Sequence, residues 1–328
     1  MILAGDIGGT KTNLACFTVQ DGLLQRGPVK SYVSKEYASL GHILIQFRHE
    51  NNAGITCAAF DVAGPVVNGR CEVTNLPWVV DARELAGGLG LNRVGLINDL
   101  EATSYGTLRL RESDMLQLNS GTKHENATIA VIAAGTGLGE GGLVWNSTRR
   151  AYQALPSEGG HTDFAPRNEL EIELLRFLLT KYKRVSYERV ASGMGIVNIY
   201  QFFRTQVRYP EPQWLVQEMT TGDAAAAIST AALAGKDEAC VRTIELFVAI
   251  YAAETGNLAL KLLSTAGVFI GGGIAPKILP LLQQSTFMDS FTNKGRFSSL
   301  LKNMPVSVVL NDKAALLGAA HYAMMMNG

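Results

Sequence analysis

The chain has 328 residues, 47% of them hydrophobic and 18% charged, with 29 basic and 29 acidic side chains. So apolar a composition excludes intrinsic disorder, and at this length folding removes roughly 75% of the unfolded surface from water, enough for one large domain or two ordinary ones. A net charge of zero without any Lys/Arg run excludes the broad basic surface of a nucleic-acid binder.

In chain order, Ile2–Ile7 and Asn13–Val19 read as strands, and Asp21-Gly22 is a hairpin turn signal. Leu40, Ile43, Leu44 and Phe47 have the spacing of an amphipathic helix. Ile55–Val62 is a buried-strand run, Asp81 with Glu84 opens a helix, and Arg93–Ile97 is another strand. A second cycle starts at the apolar strand Thr128–Ala134, and Gly142–Trp145 also reads as a strand. Asn168 with Glu171 caps a helix whose face carries Leu170, Leu174, Phe177 and Leu178. A long helix runs from Asp237 to about Leu263, followed by strand Val268–Ile270, strand Val306–Leu310 and a closing helix from about Asp312. Pro210 to Trp214 is the nearest thing to a linker. The alternation predicts two α/β lobes with a cleft between them.

Met1 to Asp6 lacks the basic segment of a secretory signal, and Lys261 interrupts the best apolar stretch, so neither export nor a membrane span is expected. Cys16, Cys57, Cys71 and Cys240 form no CxxC pair and read as small core side chains in a reducing cytoplasm.

Glycine clusters carry the candidate chemistry. Strand Ile2–Ile7 delivers Asp6, then Gly8, Gly9, Thr10 and Lys11. Such a loop reads either as a tight hairpin turn or as a place where backbone N–H groups and a hydroxyl meet a phosphate, with the carboxylate suited to Mg²⁺. Ala134-Gly135-Thr136-Gly137-Leu138-Gly139 follows a strand in the same way. Gly137, Gly139 and Gly142 fit GxGxxG, but the strand expected after them excludes a dinucleotide fingerprint, which requires a helix there. Gly271, Gly272 and Gly273 form the third cluster. Asn98-Asp99 is either a helix cap or a general base at a strand's carboxyl end. Glu158 and His161 flank Gly159-Gly160; a zinc site built on them lacks a third ligand at sensible spacing. Glu188 alone reads as a solvated residue and Asn75 as a turn former.

The order of these features resembles the bacterial glucokinase family, within the hexokinase/Hsp70/actin-type ATP-binding fold. The resemblance rests on DIGGT at Asp6–Thr10, TNLPW at Thr74–Trp78, IND at Ile97–Asp99, AGTGLG at Ala134–Gly139, EGGHTDFAP at Glu158–Pro166 and YERVASGMG at Tyr187–Gly195. GNLAL at Gly256–Leu260, GVFIGGGIAPK at Gly267–Lys277 and KGRF at Lys294–Phe297 extend it over essentially the whole chain. It implies a two-lobed actin-like (ribonuclease H-like) α/β fold, with residues 1–110 and 305–328 in a smaller lobe and 111–304 in a larger α+β lobe. It further implies ATP phosphates on Asp6–Thr10 and Gly135–Gly139, Mg²⁺ on Asp6, and adenosine bordered by Gly271–Gly273. Glucose would fall to Asn98, Asp99, Glu158, His161 and Glu188, with Asn75 close by and Asp99 as the base. The expected activity is ATP-dependent phosphorylation of the glucose 6-hydroxyl by a homodimer. A kinase of mannose, fructose or N-acetylglucosamine, a sugar sensor without turnover, and a sugar-independent ATPase are the alternatives. Two positions depart from the family pattern: Lys11-Thr12 stands where Asn-Ala is common, and Ser157 where Gly is usual.

Overall fold

A computed structural model describes residues 1–51, 54–207 and 209–327. The chain forms two compact units, Met1–Asp114 with Thr148–Leu155 and Asn311–Gly328, and Met115–Ser147 with Pro156–Leu310.

In the first unit β1 (Ile2–Ile7) pairs antiparallel with β2 (Lys11–Gln20) and parallel with β5 (Cys57–Val62), which pairs parallel with β8 (Gly95–Asn98). Strands β3 (Leu23–Arg26) and β4 (Lys30–Val33) both pair with β2. Asp21 and Gly22 take φ of 51° and 75°, the positive values a two-residue hairpin turn requires. All six residues of β5 are buried, as expected of a parallel strand covered on both faces. Alternate residues of the sheet feed two cores. Leu3, Ile7, Leu14 and Phe60 pack with Leu40, Ile43, Leu44 and Phe47 of helix Leu40–Glu50. Ala4, Ala15, Phe17 and Ala59 pack with Leu316, Ala319, Ala320 and Ala323 of helix Ala314–Asn327. That last helix also crosses helix Asp99–Thr107 at backbone contact. A Cβ on Gly318 would lie 1.7 Å from the Ala102 carbonyl oxygen, and one on Gly106 2.1 Å from that of Ala314. A ribbon of β6 (Arg70–Glu72) and β7 (Val79–Asp81) leads into helix Ala82–Leu89, capped by the Asp81 carboxylate, and β12 (Ala151–Leu155) gives its Ala154 N–H to the Tyr105 hydroxyl.

In the second unit β10 (Ile129–Ala134) pairs antiparallel with β11 (Leu138–Asn146) and parallel with β13 (Gly267–Gly271). Then β14 (Val306–Val309) continues parallel, and β9 (Met115–Asn119) closes the edge antiparallel. Helix Glu238–Leu262 runs through the core; Asp237 caps its start, and Leu263, in the left-handed region at φ 50°, ends it.

Several expectations shift. Strands β5 and β8 begin at Cys57 and Gly95, each two residues later than the apolar runs. Leu170 is 39% exposed, and Glu171 is buried in its place, accepting from the Arg167 guanidinium while its N–H bonds the Asn168 cap. Pro210 to Trp214 is no linker: it joins helices Gly193–Gln206 and Gln213–Thr221 of one unit, pinned by Tyr200 to Glu211 and by Arg204 to the Pro210 carbonyl and Asp237.

Candidate active site

The candidate residues form one group in each unit. In the first, parallel pairing aligns Asp6 of β1 with Asp61 of β5, and Val62 with Asn98 of β8, so that Asp6, Asp61 and Asp99 lie at neighbouring strand ends. Asp61 went unnoticed in the sequence because it sits inside an apolar run, where its only signal is being the sole acid. It is 0% exposed, and neither carboxyl oxygen has a hydrogen-bond partner among the described residues. Burial, then the charges of Asp6 and Asp99, hold its pKa well above the ordinary range. Burial also raises Asp6, against the opposing Asn13 amide, which donates to Asp6 Oδ2 at 3.1 Å and is itself fixed by Ser31 at 2.7 Å.

Asp99 is the first residue of helix Asp99–Thr107. Asn98 caps it, accepting from the Leu100 N–H at 2.9 Å while Glu101 accepts the Asn98 N–H at 3.0 Å. The Asn98 amide donates to the Gly64 carbonyl, 3.1 Å away, so its side chain is held at both ends. Asp99 stays open to solvent, yet desolvation first and the Asp6 charge second push its pKa upward, with the Leu100 N–H opposing. An accessible carboxylate of raised basicity at a strand's end can accept a proton.

The Gly8–Lys11 turn is closed by its own Gly8 N–H bonding the Lys11 carbonyl at 3.0 Å, and Ser34 clamps it through the Gly8 and Thr10 carbonyls. An anion there would be met by the N–H groups beyond Gly8 and by the exposed Thr10 hydroxyl and Lys11. Asn75 lands against Gly9, where a Cβ would come within 2.7 Å of the Asn75 Cβ.

The second unit repeats the turn: the Gly135 N–H bonds the Gly137 carbonyl at 2.9 Å, leaving Thr136 at the apex. No helix follows; β11 does, so the GxGxxG match carries no dinucleotide site. Gly272, at φ 84°, presses on β10, with a would-be Cβ 2.2 Å from the Ala134 carbonyl oxygen. Between these turns opens a cavity of about 570 Å³ lined by Gly135, Thr136, Gly273, Ile274 and Lys277. Gly193, Met194 and Ala224–Ala226 also line it, none of them assigned a ligand from sequence. Its size suits a small organic ligand.

His161 and Glu188 come together, with His161 Nδ1 3.9 Å from Glu188 Oε1. The other Glu188 oxygen accepts the Leu138 N–H at 3.1 Å, and a Cβ on Gly137 would stand 2.6 Å from it. Glu188 is therefore an anchored acid bridging the turn after β10 and the turn Gly159–His161. Ser157 turns out to stabilise that turn, its hydroxyl accepting the Gly159 N–H at 2.9 Å. Glu158 is exposed at the turn's start. No cluster of three or more His, Cys, Asp or Glu among the described residues is arranged to hold a metal.

A family model for glucokinase matches residues 3–326. The glucokinase of Trichormus variabilis is 45% identical, over 98% of this chain and 98% of its own. The solved glucokinase of an Antarctic psychrotroph superposes with a TM-score of 0.88 at 30% identity, covering 98% of each chain. A ROK-family glucokinase from Streptomyces griseus, solved with glucose and AMPPNP, shares the fold at a TM-score of 0.64 and 20% identity, over 98% of this chain and 99% of its own. With a family model over nearly the whole chain, a relative at 45% identity and a solved glucokinase on the same backbone path, the chain belongs to the glucokinase family.

Proposed function

We propose that the chain transfers the γ-phosphoryl group of ATP to the 6-hydroxyl of glucose, with Asp99 as general base. The observation that carries this is the acid at a strand's carboxyl end, raised in basicity and set beside the Asp6 turn. Phosphoryl transfer asks for positioning and charge stabilisation more than covalent chemistry. Asp99 accepts the hydroxyl proton as the oxygen attacks phosphorus in line, contributing roughly 10²–10⁴-fold. Backbone N–H groups of the turns after β1 and β10 meet the phosphate oxygens, and the cavity beside Gly273 and Lys277 takes the adenosine. Asn98, Glu158, His161 and Glu188 bind the sugar hydroxyls, with Asn75 nearby. The carboxylate of Asp6, next to the unpartnered oxygens of Asp61, is a hard oxygen donor set that fits Mg²⁺. Magnesium bound there supplies charge neutralisation to the phosphates. The same reading has a homodimer at work in the cytoplasm. No helix among the described residues is long and apolar enough to cross a membrane.

A coupled assay with ATP over glucose, mannose, fructose and N-acetylglucosamine tests the proposal. Glucose should show the highest kcat/KM. Preference for another hexose would move the substrate, and sugar-independent hydrolysis would replace the kinase with an ATPase.

A further inference from the structure

Both glycines of the turn Gly159–His161 lie flat on β11. A Cβ on Gly160 would stand 2.0 Å from the Leu138 carbonyl oxygen, and one on Gly159 2.3 Å from Glu140 Oε2. Glu140 is 1% exposed, and its Oε1 has no hydrogen-bond partner among the described residues. Behind it lies helix Glu238–Leu262, whose fully buried Glu254 accepts from Lys261 at 3.0 Å and from Asn257 at 2.7 Å. An apolar side chain would fill this space without leaving an oxygen unpaired. The turn bearing two proposed sugar ligands thus rests on a buried carboxyl group that the proposed mechanism does not use.

We infer that Glu140 is a positioning residue, setting the height of turn Gly159–His161 so that Glu158 and His161 meet the sugar. The inference rests on the glucose-binding role proposed above. Burial, then the charge of Glu254, pushes Glu140 up to about 8, with Lys261 opposing. Lys261 is paired with Glu254 and offsets the rise at Glu140 only in part. Tyr187 reaches the same network through Asn257 at 3.1 Å, and Lys294, which donates to Asn257, is pulled down to about 8 by burial. His161 and Glu188 flank the turn on its other side. At neutral pH Glu140 carries a proton and faces Glu254 without repulsion. Above pH 8 two carboxylates share a dry site, and the turn resting on Oε2 is displaced.

Steady-state kinetics from pH 6.5 to 9.5 on the wild-type chain, Glu140→Gln and Glu140→Ala test this. One ionisation at the value above, with only the protonated form binding sugar, raises wild-type glucose KM about tenfold from pH 7 to pH 9. The ATP KM should stay level. Glu140→Gln should lose that rise, any residual slope reporting Lys294, and Glu140→Ala should raise glucose KM several-fold at every pH. Full retention of the wild-type slope in Glu140→Gln overturns the inference, as does a parallel rise of both KM values in Glu140→Ala. If Glu140→Ala does not fold by circular dichroism, the wild-type and Glu140→Gln profiles decide. A wild-type chain that neither binds nor phosphorylates glucose overturns the sugar role together with this one. Turnover of glucose with an unaltered Glu140→Gln profile overturns the role of Glu140 alone.

Discussion

The two sheets share one plan and differ in what they place at its edge. The order β2-β1-β5-β8 runs antiparallel, parallel, parallel, as does β11-β10-β13-β14. In both, the first hairpin closes a glycine turn through its own N–H. At the carboxyl ends of the parallel strands, the first sheet has Asp6, Asp61 and Asp99, whereas the second has Ala134, Gly271 and Val309. In the proposed reaction one edge acts through charge, the other through space and backbone donors. Substitutions at the first should therefore register in kcat, and substitutions on the second unit in KM.

The hardest blow to this contrast, or its firmest support, is Asp99→Asn, which keeps the shape and removes the proton acceptor. Turnover should fall at least ~100-fold with glucose affinity little changed. Near-normal kcat would remove the base from the first edge.

Glu158→Gln and His161→Ala probe the second unit. Each leaves a sugar hydroxyl or its partner unsatisfied, a loss of about 1–3 kcal/mol, equivalent to a roughly 5–150-fold rise in glucose KM. The ATP KM should move far less, and neither added Zn²⁺ nor a zinc chelator should matter. Activity restored by zinc would make the pair metal ligands.

Asp61→Asn sharpens the contrast from the side of stability. An acid whose folded pKa is raised destabilises the fold increasingly as pH climbs from the unfolded value, about 3.9, to the folded one. The neutral amide removes that loss, so the variant's Tm advantage should grow as pH rises above about 4. A Tm difference that does not change with pH would contradict a buried, unpaired acid.

What the sequence made legible were features with local causes. Asp21-Gly22 demands positive φ and delivered its hairpin; Asp81, Asn168 and Asp237 sit on their helix starts; the four apolar residues of helix Leu40–Glu50 point inward. Both strand–turn–strand cycles were visible because apolar runs break at glycine. What stayed hidden depends on pairing across the chain. Asp61 gains meaning only through its register with Asp6 and Glu140 only through Gly159 and Glu254, while the anchoring of Glu188, though not its place among the candidates, depends on the Leu138 N–H, 50 residues away. Leu170 misled because helical periodicity says which residues share a face, not which of them the rest of the unit covers.

The crossing of Gly106 on Ala314 and Gly318 on Ala102 ties the first unit together in time as well as in space. The helix that begins at Asp99 is synthesised well before helix Ala314–Asn327, the surface it seats against. A nascent chain that has completed both glycine turns still lacks the support for that helix. Catalytic competence would then wait for helix Ala314–Asn327, and a product truncated before Ala314 would carry every proposed ligand residue with the helix of the proposed base unsupported.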